Sequence, residues 1–169
     1  MKLTRDLKEF FELLASHEVR YLVVGGGAVN AHGYVRMTED FDFWIATDPG
    51  NAERVARLIE SFGFGELALS AQDFMVPGQI IMLGRPPNRI DLLTSITGVD
   101  FEDAYARRSE GVMDGVRMPL ISVEDLLINK RATGRLKDMA DVEEFERSEK
   151  YSHLRHAPAD HKKWGDKDA

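Results

Sequence analysis

The chain has no cysteine, which excludes disulfide scaffolds, thiolate zinc sites and cysteine nucleophiles. It has no long apolar run either. The most apolar stretches, residues 21–24 and 79–83, fall far short of the ~20 residues that a membrane helix needs. No secretory pattern opens it, since Met1-Lys-Leu-Thr-Arg-Asp runs straight into a charged amphipathic segment. A cytoplasmic protein without a membrane partner is the expectation. Positive charge is not in excess: 29 acids face 22 bases, for a net charge of −7. That balance works against broad nonspecific binding to nucleic acid, yet permits a local basic patch or an acidic metal-binding cluster. What is present is ordinary: 169 residues, 43% apolar and 30% charged, enough to bury a core without staples.

Leu3, Leu7, Phe10, Phe11, Leu13 and Leu14 recur at helical spacing around residues 4–17, with Thr4 placed as N-cap. Residues 21–24 are a short apolar run ended by three glycines, which reads as a buried strand followed by a short helix over 28–32. From residue 39 to 46 the pattern alternates. Asp40, Asp42 and Trp44 fall on one face, and Phe41, Phe43 and Ile45 on the other. Asp48-Pro49 opens a helix over 49–62 that Gly63 stops. Residues 66–69, 79–83 and 89–93 read as strands, and 100–108 as a helix. Asp114-Gly115 is a favoured hairpin turn pair within 112–116. Ser122 caps a helix running to about residue 133, and a last helix spans 136–147.

Beyond Ser148 the periodicity is lost. That segment holds three of the five histidines; His153, His156 and His161 could take a metal only after the chain is ordered at an entropic cost. The pattern therefore predicts one α+β domain over 1–147, a short mixed sheet flanked by helices with the last helices beside it. Residues 148–169 read as a loosely held tail.

Three features carry chemistry together: Val24-Gly25-Gly26 at a strand end, Asp40-Phe-Asp42 on the next strand, and Ile90-Asp91-Leu92 on a later one. Period two puts Asp40 and Asp42 on one face. Adjacent like charges cost energy unless a cation sits between them, so the pair suits a divalent metal. A third carboxylate from a neighbouring strand would let two ions sit about 3.5–4 Å apart, as in-line phosphoryl transfer uses them. Gly25 and Gly26 let backbone approach a phosphate closely. Each feature has a plainer reading: an exposed acidic edge, a tight turn, and for Asp91 an ion pair to Arg85 or Arg89.

In combination these residues resemble the nucleotidyltransferase superfamily related to DNA polymerase beta. Its pattern is a hydrophobic residue with Gly-Gly or Gly-Ser, a gap of about a dozen residues, a hydrophobic-flanked Asp-x-Asp and a later third acid. Here thirteen residues, 27–39, separate Gly26 from Asp40. The further pieces Ala28, His32-Gly33, Arg36-x-Thr38, and Lys130 through Lys137-Asp138-x-x-Asp141 resemble the small bacterial branch. That branch includes toxin components of abortive-infection and toxin–antitoxin systems. The resemblance covers roughly residues 15–145. It implies a nucleotidyltransferase-like fold, with Mg²⁺ (two ions) held by Asp40 and Asp42. Asp91 would activate the attacking hydroxyl or complete the second metal site. Gly25 and Gly26 would hold a nucleoside triphosphate, whose monophosphate passes to a hydroxyl of a small molecule, protein or RNA as pyrophosphate leaves. An antitoxin is the implied protein partner. Gly26 in place of Ser removes one hydroxyl contact, which keeps open a catalytically weak nucleotide- or RNA-binding member acting through a partner.

The supporting residues each have a functional and a structural reading. Arg36 and Thr38 share the face of the aspartates if the strand begins early, and Arg36 then meets phosphate or eases the repulsion between Asp40 and Asp42. His32 reads as a packing residue. Lys130 and Lys137 are candidates for nucleotide phosphates, or else form a solvated basic face with Arg131 and Arg135.

Overall fold

The computed structural model describes residues 2–154. Its strands are β1 Tyr21–Val24, β2 Asp40–Ile45, β3 Ile80–Leu83, β4 Arg89–Leu93, β5 Ser109–Met113 and β6 Val116–Leu120. They form a single mixed sheet in the order β3-β4-β2-β1-β6-β5. β1 runs antiparallel to β2 and parallel to β6, while β2 and β4 are parallel. Hairpin partners β3 and β5 close the two edges. The helices are α1 Arg5–Ser16, α2 Gly25–Ala31, α3 Pro49–Ile59, α4 Phe101–Ala106, α5 Val123–Thr133 and α6 Leu136–Arg147. This is the expected α+β class.

The alternation on β2 decides which face is core. Phe41 and Phe43 meet Phe10 and Phe11 of α1, with ring centroids 5.1 Å apart for Phe10–Phe43 and 5.6 Å for Phe11–Phe41. Such edge-on aromatic pairs add about 0.5–1.5 kcal/mol each beyond the area they bury. On the opposite face Trp44 is covered by Phe101 of α4, at 5.0 Å. That face is therefore closed at the Trp44 end and carries the acids at the other. Asn51 fixes the strand ends. Fully buried, it accepts from the Arg20 backbone N–H at 2.7 Å and donates to the carbonyls of Arg20 and Ala46 at 3.0 and 2.8 Å.

Several expectations are corrected. Residues 66–69 form no strand: Gly65–Leu67 is a 3-10 turn and Ala68 is left-handed. The apolar run there follows a helix end at which Gly63 turns to φ +97°, and the β3 edge is already reached by the later hairpin. The short helix begins at Gly25 and not at residue 28, so the glycines are its first turn. The hairpin is longer than 112–116, with Asp114 and Gly115 both at positive φ as that turn requires. Past Ser148 the chain makes one more 3-10 segment, Glu149–Leu154, and Tyr151 packs on Phe145 at 5.5 Å. The reading of residues 155–169 and of the tail histidines as ligands lies outside the described residues. Among those described, no helix is long and apolar enough to cross a membrane.

Candidate active site

β1 ends at Val24, directly opposite Asp42 on β2. The chain enters α2 through Gly25 at φ +57°, a left-handed conformation that costs a residue with a β-carbon about 1–2 kcal/mol. A β-carbon on Gly25 would also fall on the Asp42 carboxylate, and one on Gly26 would stand 2.5 Å from Thr38 Oγ1. Backbone is thus pressed against carboxylate, with the Thr38 hydroxyl alongside. That hydroxyl donates towards Asp40, 3.0 Å from its carbonyl oxygen and 3.3 Å from Oδ1.

Sheet register gathers the remaining charges. Asp91 lies in register with Asp42, and Arg89 with Asp40. Arg89 Nη2 donates to Asp40 Oδ2 at 2.7 Å. Its Nε and Nη2 also donate to the two oxygens of Asp91, at 2.8 and 2.9 Å. Asp42 stands outside this fork and makes no ion pair among the described residues. Burial pushes its carboxyl up to about 7, reinforced by the charges of Asp40 and Asp91 and opposed by Lys137 and Lys130.

This donor set fits a hard divalent cation. It offers three carboxylates with no sulfur or imidazole, and one of them is short of positive charge. Asp40, Asp42 and Asp91 are the residues that would hold such an ion. Among the described residues no three acidic or histidine side chains converge as a finished cage. Asp40 and Asp91 are turned onto Arg89.

The loop before β2 ties this corner to a second ionic cluster. Lys130 of α5, only 3% exposed, reaches Asp138 and Asp141 of α6 at 2.8 Å each. Asp141 also receives the Arg36 guanidinium at two points, 2.8 and 2.9 Å. Asp138 accepts from Thr133 Oγ1 at 2.6 Å and Arg135 Nε at 2.7 Å. Burial alone would raise the Asp138 carboxyl, but its bonds to Lys130, Thr133 and Arg135 hold it down at about 2.

Gly25, Gly26, Thr38, Asp40, Asp42 and Asp91 therefore meet where β1, β2 and β4 adjoin. Arg36 does not relieve the aspartate pair. β2 starts only at Asp40, so residue 36 precedes the strand and its guanidinium pairs with Asp141 of α6, while Nη2 stands 3.4 Å from where a Gly26 β-carbon would be. The relief comes from Arg89, which the sequence offers only as an ion-pair partner for Asp91. Lys130 is no part of a solvated basic face, because it is buried between two acids. Lys137 is exposed, and its charge acts on Asp42. His32 is a packing residue, its Nε2 2.7 Å from the Ile121 carbonyl. Sequence reasoning gives Asp138 and Asp141 no role. The available signal is a lysine on an apolar helix face followed by two acids one turn apart on the next helix.

No curated protein matches the chain in sequence. Among solved structures it is similar to a candidate nucleotidyltransferase from Thermotoga maritima, with a TM-score of 0.56 at 14% identity. The match covers 83% of this chain and 89% of that one. Identity that low speaks for the fold alone. The sequence carries the assignment further: residues 1–153 match a family described as nucleotidyltransferase of unknown function (DUF6036), and the chain belongs to that family.

Proposed function

We propose that the chain is a Mg²⁺-dependent nucleotidyltransferase that moves a nucleoside monophosphate from a triphosphate to a hydroxyl acceptor. The observation that carries this reading is the juxtaposition of Asp40, Asp42 and Asp91 on adjoining strands with the Gly25 backbone pressed against Asp42. When bound, the metal ions would neutralise phosphate charge and lower the barrier to in-line displacement. The acceptor oxygen bonds to the α-phosphorus as the bond to the pyrophosphate oxygen breaks. The hydroxyl proton passes to Asp91 or to solvent.

The chain's own residues bind and position. Gly25 and Gly26 bring backbone N–H groups to the phosphates, and Thr38 supplies a hydroxyl where the side chain of a residue 26 would begin. Lys137, exposed and within electrostatic reach of Asp42, meets the triphosphate. Arg36 and Lys130 serve the nucleotide indirectly, through Asp141 and the loop that holds Thr38. The acceptor is a small molecule, a protein or an RNA, and the sequence motifs favour a bacterial toxin–antitoxin or abortive-infection component with an antitoxin partner. One observation favours a second reading, a catalytically weak nucleotide- or RNA-binding protein acting through a partner: Arg89 already occupies two of the three acids.

Thermal unfolding with each of the four nucleoside triphosphates, with and without Mg²⁺, tests the proposal. A ligand at 100 times its dissociation constant adds about 2.7 kcal/mol of stability. The expected result is a Mg²⁺-dependent shift that is absent in the Asp40→Ala/Asp42→Ala variant. A nucleotide shift that needs no Mg²⁺, or that survives in the Asp40→Ala/Asp42→Ala variant, supports the second reading. No shift with any nucleotide defeats both nucleotide readings and leaves RNA binding.

A further inference from the structure

We propose that Arg89 is a displaceable internal counter-ion: it organises Asp40 and Asp91 in the metal-free chain and leaves them when a divalent cation loads. The proposal rests on the reading that these acids hold such a cation. Its own basis is the geometry of the fork. A single Nη2 is shared between Asp40 Oδ2 at 2.7 Å and Asp91 Oδ2 at 2.9 Å, while Nε holds the other Asp91 oxygen at 2.8 Å. The guanidinium therefore bridges two carboxylates on neighbouring strands, the position that a shared metal ion takes between two ligands. Cation and guanidinium cannot use the same oxygen lone pairs together, and at that spacing they repel.

The side chain is placed to leave. It is 28% exposed, whereas the Asp91 it holds is 8% exposed. A cavity of about 240 Å³, lined by Lys2, Thr4, Leu7, Pro87 and Asn88, opens beside Arg89 and Asp40. The Asn88 amide oxygen there can accept from a guanidinium that has given up its carboxylates, with Pro87 and Leu7 against the aliphatic stem, and the Lys2 ammonium on the same lining opposes it. Asp42 is the acid the fork does not reach, so a cation arriving there meets a ligand without a competing partner.

The test is Mn²⁺ binding without nucleotide, followed by electron paramagnetic resonance and by thermal unfolding, for wild type, Arg89→Met and Arg89→Lys. Displacement predicts that Arg89→Met binds Mn²⁺ at least tenfold more tightly than wild type. Its metal-free form unfolds at a lower temperature, and Mn²⁺ raises its midpoint by more than it raises that of wild type. Arg89→Lys keeps the charge without the fork and falls between the two. It also serves as the deciding variant if Arg89→Met does not fold. Mn²⁺ bound equally or less tightly by the variants overturns the proposal and makes Arg89 a fixed support for the metal ligands. Failure of all three proteins to bind Mn²⁺ removes the metal reading itself, and the proposal with it.

Discussion

Where β2 meets β4, three carboxylates adjoin and one guanidinium, that of Arg89, pairs with two of them, leaving Asp42 out. Between α5 and α6, two carboxylates share three cations, Lys130, Arg36 and Arg135. Both clusters are built from aspartates and long basic side chains, and Arg36 and Thr38 stand two residues apart on the loop that joins them. Their titration runs in opposite directions. Asp42 is raised to about 7 and Asp138 is lowered to about 2. The difference gives a criterion for a candidate site: the α5–α6 cluster balances its own charge, while the front cluster is left short of positive charge.

The strongest way to break the comparison is to unbalance the matched cluster. Lys130→Met removes the ammonium from between two buried acids and leaves its space filled. Stripping one partner from a buried ionic group costs about 3–5 kcal/mol. The low end is expected, because Asp138 keeps Thr133 and Arg135, and Asp141 keeps Arg36. Urea denaturation measures it, and an unchanged midpoint would show that the α5–α6 cluster does not hold the fold.

The reverse change sharpens the contrast. Between about pH 4 and pH 7 the folded chain keeps a proton on Asp42 that the unfolded chain has released, so this group makes stability fall as pH rises through that window. Asp42→Asn removes the penalty. The metal-free variant should be more stable than wild type at pH 8 and gain almost nothing at pH 4. A site residue whose loss stabilises the empty protein is the signature of strain kept for a ligand. If Asp42→Asn is no more stable at pH 8 than at pH 4, the front cluster is not short of charge after all.

Much of the front cluster is legible in the sequence because local periodicity specifies it. Period two puts Asp40 and Asp42 on one face and Phe41 and Phe43 on the other, and the glycines follow from the turn they must make. The pairing of Arg89 is half legible: Arg89 and Asp91 share a face by the same alternation. That the guanidinium also reaches Asp40 depends on β4 lying parallel and in register beside β2, a nonlocal fact that no spacing encodes. The second cluster is harder still. Lys130 and Asp138 stand eight residues apart on different helices, and Arg36 lies 105 residues from Asp141. Their meeting depends on how α5 and α6 pack, so a short basic run reads as a solvated face when one member is buried. Residues 66–69 mislead for the opposite reason, since an apolar run looks like a strand wherever a partner edge exists.

A smaller effect separates the clusters at low pH. Asp138 is held down at about 2, so its contribution is present above about pH 4 and fades as pH falls towards 2. Asp138→Asn should cost about 1–2 kcal/mol at pH 7, discounting for screening by solvent at the Arg135 side. The cost should shrink steadily below pH 4. Parallel unfolding curves for wild type and Asp138→Asn across pH 2–7 check this, and a cost independent of pH would assign it to packing.

The smallest change tests an exposed residue that acts between the two clusters. Lys137 is on α6 with Asp138 and Asp141, yet its charge is felt at Asp42, where it opposes the upward shift. It is exposed, so Lys137→Ala should leave stability within about 0.5 kcal/mol. The carboxyl titration of Asp42, followed by carbon-13 NMR, should move higher by a fraction of a unit, and the movement should diminish as salt is added. Triphosphate affinity should drop severalfold in the same variant, since a mobile point charge facing phosphate is screened but not negligible. If affinity drops while the Asp42 titration stays put, Lys137 serves the nucleotide without coupling to the acids. If both stay put, the two clusters are linked through Lys130 and through Arg36 and its loop.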